Sequence, residues 1–105
     1  MINLTKLQEE IYVWAKRNFA IEQAKDQFTG MVEELGELAH TILKQKQRIR
    51  KIDHDDEKDA IGDLFIFLCN YCSLRNIEIE KVIDETWKKV KKRDWIKYPF
   101  NGVDK

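Results

Sequence analysis

Proline and glycine are scarce in this chain, with one proline, Pro99, and four glycines among 105 residues. No proline interrupts the backbone from Leu4 to Tyr98, so the span carries no strong chain breaker of that kind, and the composition favours helices throughout. Net charge is also lacking. Nineteen basic and nineteen acidic residues cancel, so no overall field draws the chain to a nucleic-acid polymer or an anionic membrane. The longest apolar run, around Leu64 to Cys72, is shorter than the ~20 residues that span a bilayer. The first residues, MINLTKLQEE, lack the charged-then-apolar plan of a signal peptide, and the expected location is the cytoplasm. Cysteine is limited to Cys69 and Cys72. They lie inside an apolar helical run rather than at a helix start after a strand, so they read as buried free thiols and not as a redox pair.

What is present suffices for one folded domain. Hydrophobic residues make up 43% and charged ones 36%, too apolar for disorder, and the length fits a single core. We read one domain over 1–105, with 96–105 as a C-terminal tail. Thr5 and Gln8 have capping-box spacing and start a first helix that runs to about Asn18, with Leu4, Leu7, Ile11, Trp14 and Ala15 on its apolar stripe. Phe19 to Lys25 connects it to a second helix, about Asp26 to Gln47, whose apolar face carries Phe28, Met31, Leu35, Leu38, Ala39 and Ile42. A polar link, Arg48 to Asp55, precedes a third helix from about Asp56 to Arg75, closed by Asn76. It is apolar nearly all round and so expected at the centre. A fourth helix, about Ile79 to Arg93, places Val82, Ile83, Trp87 and Val90 on one side. The expected fold is all-α, a four-helix bundle, and so apolar a centre with so few residues to cover it predicts that chains associate.

Two acidic groups stand out: Glu33, Glu34 and Glu37 on the second helix, and Asp59 and Asp63, one turn apart, on the third. The three glutamates span roughly 100° of helix, nearly opposite Phe28, Leu35 and Ile42, which by itself describes a solvated face. Asp59, Asp63 and Asn70, however, form a narrow polar stripe on a helix that is otherwise core. Burying a carboxylate costs several kcal/mol in effective terms unless it is paired or metal-bound. Two explanations fit: facing carboxylates share hard cations such as Mg²⁺, or they pair with Lys44, Lys46, Lys88 or Lys89.

These residues resemble a family, the all-α nucleoside triphosphate pyrophosphohydrolases of the MazG-like group. Its signature is E-E-x-x-E followed, after a gap, by E-x-x-D. Glu33-Glu34-Leu35-Gly36-Glu37 matches the first half and Asp63 the final aspartate, within a likeness that runs from about Trp14 to Trp95. Ala60 stands where the second glutamate is expected, and Asp59 is the nearest acid. On the fourth helix, Thr86-x-x-Lys89-x-x-x-Arg93 keeps both cations of N-x-x-K-x-x-x-R but not the asparagine.

The resemblance implies hydrolysis of a nucleoside triphosphate to the monophosphate and pyrophosphate, with Mg²⁺ as cofactor and Mn²⁺ a possible substitute. It implies Glu34, Glu37 and Asp63 as metal ligands, Asp59 as a substitute ligand, and Glu33 as the group that orients or deprotonates water. Lys89 and Arg93 would bind phosphate, and Trp14 and Asn18 the base, although Trp14 also suits plain core packing. It further implies a homodimer or homotetramer with sites near the subunit interface. Two other classes stay open. Glu37-x-x-His40 has the spacing of di-iron carboxylate bundles, and a helical interaction module without catalysis would also carry solvated acidic faces.

Overall fold

The computed structural model describes residues 2–19, 23–49, 51 and 53–104. Residues 20–22 and 50 and 52 of the two expected connections, and 105 of the tail, lie outside the described residues. Four helices are present, α1 (Leu4–Asn18), α2 (Ala24–Lys46), α3 (His54–Leu74) and α4 (Ile79–Val90), with no strand among the described residues.

Carboxylate and amide caps begin the first three helices slightly ahead of the expected points. Asn3 Oδ1 accepts from Lys6 N–H at 3.0 Å, so Asn3, not Thr5, caps α1. Asp26 sits in the first turn of α2 and accepts from the Gln23 N–H at 3.2 Å. Asp53 Oδ1 accepts from Asp55 and Asp56 N–H at 3.0 and 3.2 Å. Each satisfies backbone donors that have no partner within the helix. Asn76 closes α3 in the left-handed region, φ 55°, a conformation asparagine tolerates well. The fourth helix stops at Val90 rather than Arg93.

Gln8 does different work from the capping role that its spacing suggests. Its buried amide donates to Ile77 O at 2.8 Å and Ser73 Oγ at 3.2 Å, and its oxygen accepts from Ile79 N–H at 3.1 Å. It ties α1 to the turn between α3 and α4, and Thr5 adds a hydrogen bond to Glu80. Around this tie sits a small core of Ile11, Cys69, Cys72 and Ile79, flanked by Leu4, Leu7, Phe65, Leu68, Tyr71 and Ile77. Both cysteines are free and buried, and burial pushes the Cys69 thiol up to about 11.

The helices α2 and α3 pack as an antiparallel pair, with α1 across α3 and α4 chiefly on α1. Gly30 lies against Phe67, where a Cβ would fall 2.5 Å from the ring; the missing side chain permits the close approach. The face of α2 that leaves water is Gln27, Met31, Glu34, Leu38 and Thr41. This corrects the expected inward face, because Phe28, Leu35 and Ile42 are about half exposed. The apolar side of α4, Val82, Ile83 and Trp87, is likewise open to water, so the four helices do not close on one core within a chain.

The expected tail is tied to the end of α4. Asp94 Oδ1 accepts from Ile96 and Lys97 N–H, Asp94 N–H donates to Gly102 O, and Gly102 N–H donates to Tyr98 O. Gly102 has φ +76°, and a Cβ there would lie 3.0 Å from Arg93 Cβ.

Candidate metal centre and adjoining pocket

One turn of α2 gathers Glu33, Glu34 and Glu37 so that one oxygen from each lies within 4.8 Å of the others. The antiparallel partner completes a cleft of about 450 Å³, lined by Glu34, Glu37, His40 and Thr41 from α2 and by Asp56, Asp59, Ala60 and Asp63 from α3. Spacings of three, four and seven residues on each helix put these groups on facing stripes.

Glu34 is the buried carboxylate of the set, and its Oε2 is sealed from water with no hydrogen-bond partner. Burial raises its pKa above the usual carboxylate value, and the charges of Glu37, Asp63 and Glu33 raise it further. Asp59 and Asp63 are exposed, which corrects the expectation of a buried acidic stripe on α3: the desolvated acid belongs to α2. Among the described residues no lysine or arginine lies within ion-pair range of the cleft carboxylates. Lys88 pairs with Asp84 on its own helix, at 2.9 Å. A buried carboxylate oxygen with no donor, facing other carboxylates, fits a hard divalent cation, which takes oxygen ligands and offsets the crowded charge.

Beside the cleft is a second cavity of about 620 Å³ between α1, α2 and α3. Trp14, Phe19, Ile66 and Phe67 form apolar walls, Asp26, Gln27 and Asn70 supply polar groups, and Glu34 and Asp63 line both cavities. Trp14 is 53% exposed and meets Phe19 edge to face at 5.9 Å. It is a pocket wall and not the core residue that its place on the apolar stripe suggests.

Other expected site residues lie elsewhere. The Asn18 amide donates to Trp14 O at 2.8 Å, finishing α1, and lines an outer groove of that helix instead of the pocket. Lys89 and Arg93 are exposed, and no residue of α4 lines either cavity. Ala60 is buried in the cleft wall where a glutamate is expected, with Asp59 beside it. Sequence reasoning missed Asp56, although Asp56, Asp59 and Asp63 fall at i, i+3 and i+7, the spacing of one helix face. It also missed Gln27 and Phe67, whose signal was their register with Glu34 and Asp63.

Among the described residues, an all-helical frame that sets a carboxylate cleft against an aromatic-walled pocket defines the class. The family model for the MazG nucleotide pyrophosphohydrolase domain matches residues 22–95, and the chain belongs to that family. No curated protein and no solved structure matches the chain.

Proposed function

We propose that this protein is a Mg²⁺-dependent nucleoside triphosphate pyrophosphohydrolase, with Mn²⁺ able to substitute. The observation that carries this reading is the junction at Glu34 and Asp63, which line both the apolar pocket and the acidic cleft. A nucleoside seated between Trp14 and Phe67 would direct its phosphates past that junction. Glu34, Glu37 and Asp63, with Asp59 in place of the glutamate replaced by Ala60, would hold the metal. Bound Mg²⁺ supplies charge neutralisation along the triphosphate. Glu33, beside the other two glutamates, orients water toward the α-phosphorus and takes its proton as the new P–O bond forms. The bond from the α-phosphorus to the bridging oxygen breaks, and pyrophosphate leaves.

The same reading includes a homodimer or homotetramer. Support comes from the isolated chain, which exposes 8896 Å² where a compact protein of 12.6 kDa exposes about 6,200 Å². Its radius of gyration is 17.4 Å, against about 13 Å for a compact domain of this length. A panel of ribo- and deoxyribonucleotides assayed for pyrophosphate with and without Mg²⁺ tests the activity. Release of pyrophosphate from at least one nucleotide, lost in Glu37→Gln, is expected. Orthophosphate alone, or no metal dependence, would reject the proposal.

A further inference from the structure

We propose that the acidic cleft holds a second cation at its outer end, bound through His40 and Asp56, and that the imidazole makes this position select a divalent transition-metal ion over Mg²⁺. This rests on the reading of the cleft given above and adds a ligand set and a metal class. His40 and Asp56 have no part in the hydrolysis as described so far.

The register of α2 against α3 fixes the order of groups along the cleft. Gly30 meets Phe67. With the helices antiparallel, that contact sets Glu34 level with Asp63, Glu37 with Ala60 and Thr41 with Asp56, and all of these line the cleft. From the first pair to the last is seven residues on each helix, roughly 10 Å. Paired catalytic metal ions stand about 3.5–4 Å apart, so the cleft is long enough for two.

Its two ends differ in chemistry. At the inner end the donors are carboxylate oxygens, and the sealed, unpartnered Oε2 of Glu34 calls for a hard cation there. Midway, the buried Ala60 offers no donor opposite Glu37. At the outer end His40 supplies nitrogen beside the carboxylate of Asp56, with Glu37 and Asp59 between the two ends. His40 is exposed, and among the described residues it has no hydrogen-bond or ion-pair partner, so nothing holds its ring away from the cleft.

Charge and ligand type together identify the occupant. When ionised, Glu34, Glu37, Asp56, Asp59 and Asp63 carry five negative charges into the cleft, and one divalent ion leaves most of them uncompensated. A second offsets the remainder. Mg²⁺ takes oxygen ligands and dehydrates reluctantly, whereas imidazole suits first-row transition ions, whose affinity for mixed nitrogen and oxygen sites rises from Mn²⁺ onward.

Mn²⁺ serves as the probe, because its electron spin reports the nuclei bound to it. Pulsed electron paramagnetic resonance of the Mn²⁺-loaded wild type, without nucleotide, should show modulation from a directly coordinated nitrogen. The modulation should vanish in His40→Ala and persist in His54→Ala. Calorimetry should find two Mn²⁺ per chain in the wild type. His40→Ala should weaken one of them at least about tenfold, the lower end of what losing even a ligand's own partner costs, while Mg²⁺ affinity stays within about twofold. Both histidines are exposed, and melting curves check that each variant folds.

A single Mn²⁺ per chain, no nitrogen modulation, or modulation that survives His40→Ala would overturn the proposal. None of these readouts needs turnover. A nucleotide panel without pyrophosphate release would defeat the enzyme reading and leave the nitrogen signal to decide the outer position. Turnover with Mg²⁺ in a chain that gives no nitrogen signal would keep the enzyme and remove the outer position.

Discussion

Replacing Gly30 by alanine tests the packing that separates α2 from α3. A Cβ at this position would fall 2.5 Å from one Phe67 ring carbon and 2.7 Å from two others. Carbon contacts settle near 3.5–4.0 Å, so the ring must retreat by roughly 1 Å. Forcing one carbon into a packed contact costs about 1–3 kcal/mol, offset by about 1 kcal/mol because alanine favours a helix over glycine. A net loss of about 1 kcal/mol lowers the melting temperature by roughly 4–8 °C in a domain of this size. Gly30 lies one turn from both Gln27 and Glu34, which line the pocket on either side of Phe67. A ring pushed off α2 therefore moves into the pocket, and KM for the nucleotide should rise several-fold while the Mg²⁺ requirement stays unchanged. Gly36 and Gly62 serve as controls, since nothing lies within 4 Å of a Cβ at either; alanine at each should stabilise by about 0.5–1 kcal/mol. Thermal denaturation and nucleotide titration decide it. Gly30→Ala matching those controls in stability and wild type in KM would refute the reasoning.

Two further substitutions probe the cleft and the frame. Asp59→Asn should raise the Mg²⁺ needed for half-maximal rate, whereas Asp63→Asn, at the junction of the two cavities, should abolish turnover; a wild-type Mg²⁺ titration for Asp59→Asn would remove Asp59 from the metal set. Gln8→Ala leaves the Ile79 N–H and Ile77 carbonyl without their partner, so urea denaturation should show a loss of roughly 2–4 kcal/mol, and a loss below 1 kcal/mol would show that the tie is replaced.

How much of this was legible in the sequence depended on whether a pattern had one physical cause or two. Helix number and order follow from apolar periodicity in three helices and, in the third, from its length and the helical spacing of its flanking acids, and among the described residues all four appear together with the E-E-x-x-E cluster. The inward face of α2 was misassigned because its apolar side, Phe28, Leu35 and Ile42, was assumed to face the chain's own core. A helix with a polar, functional face inside and an apolar face outside inverts that rule, and periodicity alone cannot say which neighbour an apolar stripe serves. Gln8 shows a related limit, since spacing suited to a local cap also suits a long-range tie. Lys89 and Arg93 were readable as residue types, but their separation from the cleft depends on where α4 packs, and no local signal carries that. Trp14 was ambiguous for the same reason: one apolar stripe can line a core or a pocket.

The protonation of Glu34 offers a test of the cleft in the absence of metal. Burial, then the charges of Glu37, Asp63 and Glu33, raise its pKa in the folded chain above the value of 4.5 it has without these influences. Between those two pKa values the folded state binds more protons than the unfolded state, so the free energy of unfolding falls as pH rises. The stabilising contribution is complete below the unfolded pKa and is lost as pH passes the raised folded value. Glu34→Gln has no such proton to lose. Without metal, the variant should therefore melt at or above the wild-type temperature near neutral pH, with the difference shrinking as both are acidified. Saturating Mg²⁺ should reverse the order, because binding selects the ionised carboxylate and stabilises the chain that offers it. Melting curves across pH, with chelator and with Mg²⁺, measure both effects. If metal-free Glu34→Gln instead melts several degrees below wild type at neutral pH, the carboxylate is stabilising the fold through a partner of its own, and Glu34 is not a group held ready for a cation.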